Sequence, residues 1–330
     1  LSPRSGTTVT IGDSGDTVNI VGTLQNNGGA IPGDISSVVA GTGLSGGGTS
    51  GDVTLNVEAA QSGVTSLGTL TALTVNGNVS IDGGTIKLDG NYPTGTENVA
   101  LGDTALDSVQ ADGNCNVAVG SKAGTAITTG DNNTAIGVLA LSATTTASSN
   151  VAVGRKTMCT NTTGGNNTAI GNQSLEQNTT ASNNTALGFE SLKLNTTGTL
   201  NTAVGSASLS SNTTASCNTA FGTSSLFANT TGDNNTGIGK DSLTNNTTAD
   251  NNTALGFKSL AANTTGADNT AVGMCALRTN TTGAINTAVG TGALKSNTTG
   301  TANVAVGCDA LDSNTTGSEN TIIGREAGCS

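Results

Sequence analysis

"NTAVGMCALRTNTTGAI" spans Asn269 to Ile285, and "NTAVGTGALKSNTTGTA", 286–302, repeats it in the same register. The glycine of this N-x-A-x-G phrase stands at positions 102, 120, 137, 154, 171, 188, 205, 222, 239, 256, 273, 290, 307 and 324. The first interval is 18 residues and every later one is 17. A fixed short period sustained this long marks a solenoid, in which each repeat buries its apolar side against the next. Seventeen residues are too few for paired helices, and Gly, Asn and Thr are poor helix formers. The period predicts an all-β chain: a parallel β-roll of about fourteen coils, each with two short strands and two turns.

Register assigns the side chains. The residue before the glycine is apolar in every copy: Leu101, Val119, Ile136, Val153, Ile170, Leu187, Val204, Phe221, Ile238, Leu255, Val272, Val289, Val306 and Ile323. Two residues before the glycine sits Ala, except at Gly237 and Ile322. Four residues after it sits Leu in most copies, including Leu141, Leu175, Leu192, Leu209, Leu226, Leu243, Leu260, Leu277, Leu294 and Leu311, with Met158 as a substitute and Gly124 and Gly328 as gaps. Along N-T-A-V, Asn and Ala share one strand face, and Thr and Val share the other. With Ala inward, it packs small against large on the Leu ladder, which becomes the roll core. The Val/Ile ladder from Val119 to Ile323 then points outward. The competing assignment puts Val and Leu inside and Ala outside. A continuous outward apolar ladder needs a partner, and a threefold axis is the natural place to bury three of them. The narrow roll buries little apolar surface per ordered residue, which also favours association.

Composition excludes several function classes. Of 330 residues 48 are Gly, aromatic content is 2%, and there is no His or Trp. The net charge is −11 with only 11 Lys+Arg, so nucleic acid and anionic membrane surfaces lack an electrostatic footing. No run of 18 apolar residues occurs, and membrane insertion is not expected. A Ser-His-Asp triad has no His to use. "GTGLSG", 41–46, matches G-x-G-x-x-G, but no helical pattern follows it. The carboxylates are scattered singly, no metal-ligand spacing is present, and no cofactor is expected. The chain reads as non-enzymatic.

The polar repeats read as structural. Asn opens every N-x-A-x-G copy, and a second Asn opens N-T-T-G or N-T-T-A from Asn161 to Asn314. Asn suits left-handed turns, and stacked amides form ladders. Each N-T-T also matches a glycosylation sequon, although the turn alone explains its recurrence. The six cysteines fall in four registers, and same-register pairs lie far apart along the stack, which predicts thiols rather than disulfides. Variable pairs such as Arg155-Lys156, Phe189-Glu190, Lys240-Asp241, Phe257-Lys258 and Arg325-Glu326 mark a solvent-facing side.

Residues 1–31 read as a β-rich shaft or adaptor, 32–92 as a glycine-rich β shaft, and 93–330 as the repeat roll. Pro32 and Pro93 mark the boundaries. The chain begins at Leu1 and stops at Ser330 in mid-repeat, and it is read as a piece of a longer product.

The consensus N-[TV]-A-[VIL]-G-x-x-[AS]-L-x-x-N-T-T-G resembles the repeat of viral, especially phage, fibre proteins. With a longer coil, it is also similar to the N-S-V-A-I-G repeat in the heads of trimeric autotransporter adhesins. "AGTGLSGGGTSGDVTLNV", 40–57, and "LTVNGNVSIDGG", 73–84, resemble segments of phage tail fibres. The resemblance implies a left-handed roll, a homotrimer with two further copies of the chain, and a virion fibre assembled in the host cytoplasm. It also implies other virion or tail proteins at the N-terminal end and a host surface receptor at the distal end. A bacterial surface adhesin head is the alternative, and an ice-binding β-solenoid a third reading.

Overall fold

In the computed structural model the described residues are 95–329 together with three short strands, β1 (Val38–Val39), β2 (Leu44–Gly48) and β3 (Leu55–Val57). The chain divides into two units, Leu1–Gly84 and Thr85–Ser330. In the first, β2 pairs antiparallel with β1 and with β3. The glycine motif at 41–46 therefore runs into a strand. The expected segment 1–31 lies outside the described residues, as does most of 32–92.

In the second unit, β4 (Val99–Leu101) is followed by β5 (Val117–Val119) and then by one three-residue strand every 17 residues, ending at β17 (Thr321–Ile323). These fourteen strands form a single parallel sheet whose order follows the sequence. The register is unbroken: Ala203 lies between Ala186 and Ala220, and Val204 between Leu187 and Phe221. No helix occurs among the described residues. The second unit is a β-solenoid.

Each coil holds one strand rather than the expected two. The Leu-bearing side is built of turns. A first turn closes from the corner glycine to the third residue after it, as in Ala123 N–H to Gly120 O at 3.1 Å. A second runs from the Leu to the following Asn, as in Asn212 N–H to Leu209 O at 3.1 Å. The second residue after the glycine and the Leu itself adopt left-handed backbone, for example Lys156 at φ 56° and Met158 at φ 48°. Alternating left-handed residues cannot form a strand, but they leave the amides pointing along the stack. Leu209 N–H reaches Ser225 O at 3.0 Å, and Lys156 N–H reaches Val138 O at 2.9 Å. The inter-coil ladder thus continues around the turns, satisfying backbone groups that the interior would otherwise strand.

The corner glycine is a steric requirement. Its φ lies between 127° and 139° throughout, a region open essentially to glycine. A Cβ on Gly222 would stand 2.7 Å from the carbonyl oxygen of Gly239 in the next coil.

The interior is one column of Ala and Leu. Leu141, Leu175, Leu192, Leu209, Leu226, Leu243, Leu260, Leu277 and Leu294 are fully buried, and Leu311 is 7% exposed. The strand alanines from Ala118 to Ala305 are buried against them. At the Gly124 gap, Ile127 enters the core: its Cδ1 would be 3.0 Å from a Cβ at Gly124, as would Leu106 Cδ2. Ile127 occupies the register that later holds the second Asn, and it is fully buried.

Two buried asparagine ladders border this column. In the first, each backbone N–H donates to the side-chain oxygen of the Asn one coil earlier, as in Asn184 to Asn167 at 2.9 Å. In the second, the amide nitrogen donates to the preceding Asn, as in Asn178 to Asn161 at 2.8 Å. The two ladders converge on one carbonyl per coil: Ala181 O accepts from Asn167 at 2.8 Å and from Asn178 at 3.0 Å. Among the described residues no buried side-chain polar atom lacks a partner.

Candidate functional site

The outer face of the sheet is a regular surface that runs the length of the solenoid. Strand alternation turns the first and third residues of each strand outward, and the parallel register lines them up coil over coil. In the third-residue file, Ile136, Ile170, Leu187, Phe221, Ile238, Leu255, Val289 and Ile323 are exposed, Phe221 at 56% and Ile323 at 72%. Val119, Val153, Val204, Val272 and Val306 are half-buried by their neighbours. All thirteen residues assigned to the outward ladder thus stand in one file, and the ten assigned to the core stand in the interior. Monomeric soluble proteins rarely expose a continuous apolar stripe of this length. A parallel file of Thr, with Val at 99, 117, 151 and 304, lies beside it.

Four further apolar side chains, Val138, Phe189, Phe257 and Met274, occupy the position just past the corner glycine, and all are exposed. The solvent-facing side expected of the Phe189-Glu190 and Phe257-Lys258 pairs is observed, while Val138 and Met274 are not singled out by the sequence. No periodic signal marks them, because that position also carries Asp, Ser, Arg and Lys in other coils.

The turn side carries charge and hydroxyl. Lys156 pairs with Glu176 of the next coil at 3.7 Å, and Lys193 with Glu190 of its own coil at 2.6 Å. Such part-exposed pairs contribute little stability. In the N-T-T segments the first Thr donates its hydroxyl to the next coil, as in Thr196 to Thr213 O at 2.9 Å. The second Thr is exposed in every coil from Thr146 to Thr316. The sequon asparagines behave differently. Asn161, Asn178 and Asn195 are fully buried, and their amide nitrogens donate to a side chain of the preceding coil and to a backbone carbonyl of their own, so these coils present no acceptor for a glycan.

The six cysteines are free thiols. Cys115 donates to the Glu97 carboxylate at 3.3 Å, a contact that pushes its pKa up. The adjacent Asp309 carboxylate does the same to Cys308. Burial raises Cys159. Among the described residues no group of three or more His, Cys, Asp or Glu is placed to hold a metal ion. No family model, curated protein or solved structure matches the chain.

Proposed function

We propose that the chain is a structural fibre protein of a virus, a stiff trimeric rod that carries a host-attachment tip on a particle. The observation that carries this reading is the outward apolar file, unbroken from Val119 to Ile323 on a stack whose interior is already filled. Three such files on a common axis would bury one another and leave the charged turns in solvent. At the usual strand spacing of about 4.8 Å, fourteen coils extend the rod by roughly 65 Å. The action is mechanical: each coil adds length, and the continuous hydrogen-bond ladder resists bending and proteolysis. The N-terminal unit would join other virion or tail proteins, and a receptor would be met at the distal end. The sequence motifs quoted above support the phage assignment within this reading.

Gold-labelled antibodies raised against the full chain should decorate fibres on virus particles. Labelling confined to a bacterial surface would replace this reading with the adhesin head. The exposed Thr file from Thr146 to Thr316 supports a second reading, an ice-binding solenoid. A monomer with measurable thermal hysteresis would establish it in place of the rod.

A further inference from the structure

Charged side chains on the turn side meet in two register relations. Residues three apart within a coil touch, as in Glu190 with Lys193 and Gln173 with Glu176 at 2.8 Å. Residues twenty apart meet across neighbouring coils, as in Lys156 with Glu176. Lys258 and Arg278 stand in that same twenty-residue relation, but both are cations. Both are exposed, and neither is ion-paired among the described residues. Lys258 Nζ lies 5.2 Å from the centroid of the Phe257 ring. Like charges placed where Lys156 and Glu176 make a salt bridge repel one another, and an anion seated between them reverses the sign.

Where neighbouring coils carry Thr244-Asn245 and Arg278-Thr279, this coil carries the smaller Ala261-Ala262, which line an open hollow together with Asp241, Asn245, Lys258 and Arg278. We infer that this hollow is a side-on binding site for a carboxylated sugar, a uronic-acid residue of a polysaccharide. The guanidinium of Arg278 takes the carboxylate in its two-pronged geometry, with Lys258 as the second cation. The two alanines present an apolar floor to the ring's C–H face, and Asp241 and Asn245 are placed for its hydroxyls. The Asp241 carboxylate disfavours a phosphate dianion in the same space. The proposal does not depend on the trimeric fibre reading, since the hollow lies on the turn side.

The test is calorimetric titration of the full chain with glucuronate and galacturonate oligosaccharides, with neutral cello-oligosaccharides and inorganic phosphate as comparisons. A uronate oligosaccharide should bind, more weakly as salt is raised, and the neutral one should not. Arg278→Glu rebuilds the Lys156–Glu176 arrangement, so it should fold with an unchanged or higher melting temperature. It should also weaken uronate binding by about tenfold or more. Lys193→Ala, elsewhere on the turn side, should leave binding unchanged. Absence of uronate binding, equal binding of neutral sugar or phosphate, or unaltered binding to a folded Arg278→Glu chain would overturn the assignment.

Discussion

Leu209 combines two features that rarely coincide, full burial and a φ of 48°. Left-handed backbone costs a residue with a Cβ roughly 1–2 kcal/mol, and the buried side chain and the inter-coil bond to Ser225 O offset it. Leu209→Ala keeps the strain and removes the packing, so chemical denaturation should show a loss of about 2–5 kcal/mol. The asparagines are equally constrained. Asn212 donates to Asn195 and to Ala215 O, while its own oxygen accepts from Asn229. Asn212→Asp removes the donors and buries a carboxylate against two oxygens, costing about 1–3 kcal/mol or more at neutral pH. The folded-state pKa of the new acid is raised, so the stability gap to the parent chain should shrink as pH falls through the carboxylate range. At Cys115 the effect is on reactivity. Glu97 holds the thiol protonated, so Glu97→Gln should speed its alkylation at neutral pH, measured by labelling and mass spectrometry.

At the scale of the coil, the corner glycine, the inward Ala and Leu and the outward apolar residue are legible because each recurs in a fixed register. The turn side was misread as a second strand for a physical reason. Leu does not favour left-handed backbone, so nothing local announces that conformation, and only the inter-coil hydrogen bonds demand it. The rescue of the Gly124 gap by Ile127 was hidden too, since it depends on contact across a turn. A subtler pattern lies at the carbonyl where the two Asn ladders converge: Gly and Ala alternate from Gly130 to Gly266, so neighbouring coils in that stretch never both carry a Cβ there. A Cβ on Gly198 would run into the Ala215 carbonyl oxygen. Gly198→Ala makes three Cβ-bearing coils in succession and should lower the unfolding midpoint more than Ala215→Gly, which costs about 0.5–1 kcal/mol.

Over the whole molecule, the solenoid separates what holds a coil together from what would hold chains together. Interior Leu, Asn and Gly serve the first, and under the proposed trimeric reading the outward file serves the second. On that reading, charging the file should dissociate the trimer and spare the coils. Ile170→Asp with Phe221→Asp should keep the β-sheet circular-dichroism signal while yielding single chains. The partner was not legible from the sequence, because one chain's ladder specifies a surface to be covered and not what covers it. The most direct measurement is the native mass of the full chain by light scattering, with an unheated detergent gel alongside. Three chain masses, resistant to detergent until heated, are predicted. A monodisperse single chain with its apolar file stable in water would contradict the trimeric rod.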